Sequence, residues 1–143
     1  MTERMVVLLC GPSGAGKTTA ARGSGLKVYD FDDPEWVTHP QFLAAIAALA
    51  KQPDARAVVI RAAPTSAARA ELAKMMRATH TYLIVEDHDT LVSRIRHRGR
   101  ADAVGTIAGL DSWFARHERW DGVAEFPGWP TVMGDQLDLG LMS

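Results

Sequence analysis

Apolar residues in this chain fall into short unbroken runs, separated by stretches with a helical period. Met5-Val6-Val7-Leu8-Leu9-Cys10 is apolar throughout, the pattern of a strand buried on both faces rather than one with a wet side. Lys17 to Arg22 starts a helix that Gly23-Ser24-Gly25 cuts short. Lys27 to Asp32 reads as a second strand, with Val28, Asp30 and Asp32 on one face and Tyr29 and Phe31 on the other. Pro34 ends it. Pro40 suits the first turn of a helix running to about Lys51, whose apolar stripe is Phe42, Leu43, Ile46, Leu49 and Ala50. Pro53-Asp54 makes a turn, and Ala57 to Ile60 form a third strand that ends in Arg61. Thr65 or Ser66 caps a helix to about His80, with Ala68, Leu72, Met75 and Met76 turned inward. Thr81 to Val85 form a fourth strand. Asp89 caps the next helix, which Gly99 ends. A further helix spans Asp102 to about Arg119, with Ile107, Leu110, Phe114 and His117 along one side. From Asp121 to Ser143 the chain is rich in Gly, Pro and Trp and reads as an irregular tail, with Thr131-Val132-Met133 as a candidate fifth strand.

Strands that alternate with helices predict βαβ units. The fold class expected is therefore α/β: three layers, a mostly parallel sheet of four or five strands flanked by helices. With 143 residues, 47% of them hydrophobic and 23% charged, the chain has the material for a core in one domain over residues 1–143. A formal net charge of -1 excludes the strongly basic surface typical of duplex DNA binders, though not a local basic patch. Cys10 is the single cysteine, so no disulfide forms within the chain. That suits a reducing compartment, and Cys10 itself reads as a small buried residue. No apolar run is long enough to cross a membrane and the N-terminus lacks a signal-peptide pattern, which points to the cytoplasm.

The chemistry sits between the first strand and the first helix. Gly11-Pro12-Ser13-Gly14-Ala15-Gly16-Lys17-Thr18 fits the phosphate-binding pattern G-x-x-x-x-G-K-[ST] in its proper strand-to-helix setting. Glycines let the backbone curl around an anion with its N–H groups turned inward. The helix that opens at Lys17, Thr18 and Thr19 offers its positive end to the same anion. Lys17 can reach the β- and γ-phosphates of a nucleoside triphosphate, and the Thr18 hydroxyl can ligate Mg²⁺. A nucleoside triphosphate and Mg²⁺ are thus the expected ligands, in a P-loop NTPase domain.

Phosphoryl transfer also needs cations to spread the charge of the moving group and something to orient the nucleophile. Asp30, Asp32 and Asp33 gather at the end of the second strand, the edge on which this class of sheet binds ligands. A carboxylate there can accept the proton of an attacking hydroxyl. In the helix Leu91 to Arg100, Arg94 and Arg98 flank the buried face, while Arg96 and Arg100 look to solvent. Arginine stays charged and donates bidentate hydrogen bonds to phosphate, so Arg94 and Arg98 are candidates to close over the triphosphate. After the third strand, Arg61-Ala62-Ala63-Pro64-Thr65 lacks the acid that often holds Mg²⁺ there. The metal is left to Thr18, the phosphates, water and one of Asp30 or Asp32. Arg61 either touches substrate phosphate or pairs with a neighbouring carboxylate. Trp36, Trp113, Trp120 and Trp129 are candidates for stacking on a base or for packing.

Together these residues resemble the small P-loop kinases, above all the kinase domain of the phage-type polynucleotide 5′-hydroxyl kinases and their nucleoside- and nucleotide-kinase relatives. The resemblance rests on Gly11 to Thr18, the pair Asp32-Asp33, and Leu91-Val92-x-Arg94-x-x-x-Arg98-Gly99. It implies transfer of the γ-phosphate of ATP–Mg²⁺ to a hydroxyl or phosphate of a nucleotide, a nucleic acid or a modified DNA base. Asp32 would be the base, and Arg98, helped by Arg94, the lid arginine. The departures are as informative. Where the polynucleotide kinases place an arginine after the aspartate pair, this chain has Pro34-Glu35-Trp36, which argues against a nucleic-acid end as acceptor. The alternatives left open are an NTP-hydrolysing protein and a non-catalytic ATP-binding regulator. No N-K-x-D element of the guanine-specific switches occurs.

Overall fold

A computed structural model describes residues 3–12, 14–99, 103–118 and 121–134. Ser13 of the loop, Arg100, Asp102, Arg119, Trp120 and residues 135–143 of the tail lie outside the described residues. The elements run β1 (Met5–Cys10), α1 (Lys17–Arg22), β2 (Lys27–Asp30), α2 (His39–Ala48), β3 (Arg56–Arg61), α3 (Ser66–Met76), β4 (His80–Leu83), α4 (His88–His97), α5 (Ala103–Arg116) and β5 (Ala124–Glu125). They form one parallel sheet in the order β2-β3-β1-β4-β5. This is the α/β fold expected, a five-stranded sheet between layers of helices.

β1 holds the centre, paired with β3 on one side and β4 on the other. All six of its side chains are buried. They alternate between two cores: Val6, Leu8 and Cys10 meet Phe42, Ile46 and Met76 of α2 and α3. Met5, Val7 and Leu9 face the layer of α1, with Ala21 and Val132. Burying such a side chain stabilises the fold by about 1.5–3 kcal/mol each, so an unbroken apolar run is what this position requires. A third, smaller cluster joins Leu91 and Ile95 of α4 to Leu110 of α5 and to Ala15 of the loop after β1.

Local chemistry moved several boundaries. β2 stops at Asp30 rather than Asp32, because the backbone turns: Asp33 N–H donates to Asp30 O at 3.0 Å and Asp32 N–H to Asp30 Oδ1 at 3.1 Å. The helix from Thr65 ends at Met76, not near His80, because Arg77 adopts a left-handed conformation at φ 49°. His80 is thereby released into β4. Asp87, not Asp89, caps α4, its carboxylate accepting from Thr90 N–H at 3.1 Å. Thr131-Val132-Met133 is helical, within residues 129–134, and the fifth strand is Ala124–Glu125.

The described part of the tail is therefore ordered packing. Trp129 Nε1 donates to Ala20 O at 2.5 Å and fixes the last helical residues against α1. Arg69, only 1% exposed, explains the preceding segment. Its guanidinium donates to Asp121 Oδ2 at 2.8 Å, to Ala63 O at 2.9 Å and to Glu118 O. A buried cation with all these partners nails the chain to α3 before it returns to the sheet.

Candidate active site

β1 delivers the chain to the carboxyl edge of the sheet, where the loop to α1 begins. Gly11 is forced by contact: a Cβ there would lie 2.1 Å from Ile84 O, on the segment leaving β4. Gly14 and Gly16 take φ values of 80° and 96°, where any other residue is strained. Gly16 stands at the N-cap position of α1, and no side chain caps the helix among the described residues. Its first amides are therefore not taken by a side-chain acceptor, as an anion-binding turn needs. Pro12 is buried, Ala15 packs on the α4–α5 cluster, and Thr19 lines the cavity described below.

Lys17 folds back on its own loop, donating to Pro12 O at 2.9 Å and to Gly11 O. Burial lowers its ammonium pKa to about 8, against the opposing pull of Asp30 and Asp32. Thr18 Oγ1 donates to Asp30 Oδ2 at 3.1 Å. Asp30 is 8% exposed, so the turn after β2 and the hydroxyl of α1 share one carboxylate. Two hard oxygen donors side by side are the chemistry Mg²⁺ selects. Thr18 and Asp30 are the residues that would hold the metal. Cys10 beneath them is inert, its thiol pushed up to about 12, first of all by burial.

A cavity of about 530 Å³ opens over the loop. The loop supplies Pro12, Gly14, Gly16 and Lys17, the end of β2 supplies Asp30, Asp32 and Asp33, and α1 adds Arg22. From α4, its C-terminal end and α5 come Ile95, Arg98 and Thr106. Asp32 and Arg98 thus face the same space as the phosphate loop. Arg94 is placed differently from Arg98. Its Nη1 donates to Gly14 O at 3.3 Å and its Nη2 meets Glu86 Oε2 at 3.5 Å, so it ties α4 to the loop. Arg22 was not singled out in the sequence, although its spacing of four from Thr18 puts it on the same helix face. Arg61 pairs with no carboxylate among the described residues; Nη2 meets His39 Nε2 at 3.1 Å instead. Three of the tryptophans are taken up in packing: Trp36 against Tyr29 and Phe42, Trp113 with Nε1 on Ala62 O, and Trp129 on Ala20.

Neither protein-family models nor curated proteins give a match to this sequence. Solved structures do. A gluconokinase from Sinorhizobium meliloti superposes with a TM-score of 0.60 at 20% identity, over 87% of this chain and 83% of the other. A sugar kinase from Janibacter sp. gives a TM-score of 0.63 at 20% identity, over 85% and 83%. This chain shares the fold of these two kinases. A third likeness, with a TM-score of 0.54 at 11% identity, is to YorR from Bacillus subtilis, solved in complex with phosphorylated GDP, over 97% of this chain and 99% of that one. In this chain the loop after β1, the β2 carboxylates and the α4–α5 pair line one cavity at the carboxyl edge of the sheet, where open α/β sheets bind their ligands. Among the described residues no helix is long and apolar enough to cross a membrane.

Proposed function

We propose that this protein is a kinase that moves the γ-phosphate of ATP, bound with Mg²⁺, to a hydroxyl of a small polar molecule. The observation that carries the reading is the convergence in one cavity of Lys17, the Thr18–Asp30 pair, Asp32 and Arg98. The loop amides and Lys17 bind the triphosphate once Lys17 leaves the carbonyls of Gly11 and Pro12. Mg²⁺ held by Thr18 and Asp30 would neutralise charge on the phosphate oxygens. Asp32 accepts the proton of the attacking hydroxyl, and Arg98 meets the charge that grows on the transferred group. Arg94, bonded to Gly14, sets the lid over the loop. The volume and the use of three tryptophans in packing favour a small acceptor over a polynucleotide end or a modified base in DNA.

The test is transfer of a radiolabelled γ-phosphate across a panel of small hydroxylated compounds, nucleosides, nucleotides and oligonucleotides, with hydrolysis followed in parallel. Label should move to a small acceptor, with slow hydrolysis in its absence. Rapid hydrolysis without any acceptor, or transfer to oligonucleotides alone, would contradict the proposal.

A further inference from the structure

Arg61 closes β3 beside the phosphate loop, whose Gly11 N–H donates to Arg61 O at 3.3 Å. Strand alternation sends its side chain to the opposite face of the sheet from Ile60. Ile60 lines the cavity on the α1 side, while Arg61 lies 5.5 Å from the centre of the Phe42 ring of α2. The donor loop and Arg61 therefore stand on two sides of the same sheet edge, and Asp32 faces both: it lines the cavity, and its charge reaches Arg61.

The guanidinium is oriented without an ion pair among the described residues. A guanidinium only donates, so His39 Nε2 is the acceptor of this bond. Phe42 supports the cation from its face. The first turn of α2 contains no acidic residue, and the end of that helix adds positive potential. A half-desolvated cation that is held in place with no carboxylate in ion-pair contact among the described residues, and only the more distant charge of Asp32 to balance it, is costly. Among the described residues only one of its N–H groups has an acceptor, in a planar fork that fits carboxylate and phosphate oxygens.

We propose that the phosphoryl acceptor carries an anionic group, a carboxylate or a phosphate monoester, bound by Arg61 beside the hydroxyl that meets Asp32. This rests on the kinase reading above and narrows it to hydroxylated acids and phosphate esters. Asp32 and Arg61 then act as a two-point gauge: the acid selects the hydroxyl, the cation selects the charge.

The experiment is equilibrium titration of protein saturated with a non-hydrolysable ATP analogue and Mg²⁺. Gluconate is compared with glucose, and dGMP with deoxyguanosine. At least one anion should bind about tenfold or more tightly than its neutral counterpart, a difference typical of a charge-assisted pair. Which pair shows it tells carboxylate from phosphate. Arg61→Gln keeps a donor for His39 and removes the charge. It should abolish the preference while leaving the affinity for the ATP analogue unchanged, and Arg61→Lys should restore part of it. If neither anion outbinds its neutral partner, or if Arg61→Gln keeps the preference, the proposal is overturned. Radiolabel transfer with the same compounds judges the kinase reading separately: an Arg61-dependent preference without transfer sustains the anion site and sinks phosphotransfer. Equal transfer to charged and neutral partners sinks the anion site alone.

Discussion

Lys17 gives the account its sharpest quantitative consequence. In the free protein its ammonium is desolvated and its pKa lies at about 8. A triphosphate against it restores the ordinary lysine value near 10.4 or above, because a close polyanion favours the charged form. Nucleotide binding is thus coupled to proton uptake. Below about pH 8 the lysine is already charged in both states. Above it, each pH unit costs about tenfold in apparent affinity, or about 1.4 kcal/mol, until the bound-state pKa is reached. Between about pH 7 and pH 9 the dissociation constant of a non-hydrolysable ATP analogue should rise about tenfold. At about pH 8, calorimetry in buffers of different ionisation heat should register about half a proton taken up per nucleotide. Lys17→Met supplies the baseline: it should bind weakly, with only the slope of the nucleotide's own ionisation. Equal slopes in the two proteins, or no proton uptake near pH 8, would refute the desolvated lysine as the phosphate ligand.

Three further outcomes follow from the geometry. Arg98→Ala should lower kcat by about 10²–10³-fold and leave ATP affinity nearly intact, since the charge it meets grows in the transition state; a loss confined to binding would remove it from the lid. Asp121→Ala strands the buried Arg69 and should cost about 3 kcal/mol in denaturant unfolding. Burial raises the Asp121 carboxyl, but its hydrogen bonds to Arg69 and the backbone outweigh this and hold it below the usual range. The wild-type advantage over the variant should therefore be full above about pH 4 and fade as acid protonates the group. His88 Nε2 meets Asp111 Oδ1 at 2.5 Å and Nδ1 meets Asp89 Oδ1 at 3.2 Å, which raises the His88 pKa above 6.5. The tie between α4 and α5 is then complete below about pH 6.5 and is lost as pH rises through the raised value. An NMR titration of His88 should show the raised midpoint, and Asp111→Asn should bring it down.

The centre of the sheet was legible in the sequence because β1 and most of β3 are buried on both faces. Met5 to Cys10 has one reading only, and the observed strand keeps its limits. The phosphate loop was legible for a different reason: its glycines answer to positive φ and to contact with Ile84. What the pattern hid were choices made by single hydrogen bonds. Asp87 and Asp89 are both good caps in isolation, and only the bond to Thr90 selects the first. Asp32 was placed on a strand face, but the Asp30 carboxylate folds the backbone into a turn, and that same carboxylate meets Thr18. Arg69 was invisible because its partners Glu118 and Asp121 lie about fifty positions away in sequence. In the described part of the tail the Pro and Gly residues hid the helical residues 129–134, which Trp129 and Val132 pack onto α1.

The central claim is that Asp32 steers a hydroxyl onto a phosphate gripped by the loop. The direct measurement is single-turnover transfer of labelled γ-phosphate to the best acceptor of the panel by wild type and Asp32→Asn, with ATP-analogue affinity measured on both. The expected result is a loss of about 10²-fold or more in the transfer rate with unchanged nucleotide affinity. Equal transfer rates in the two proteins would contradict it.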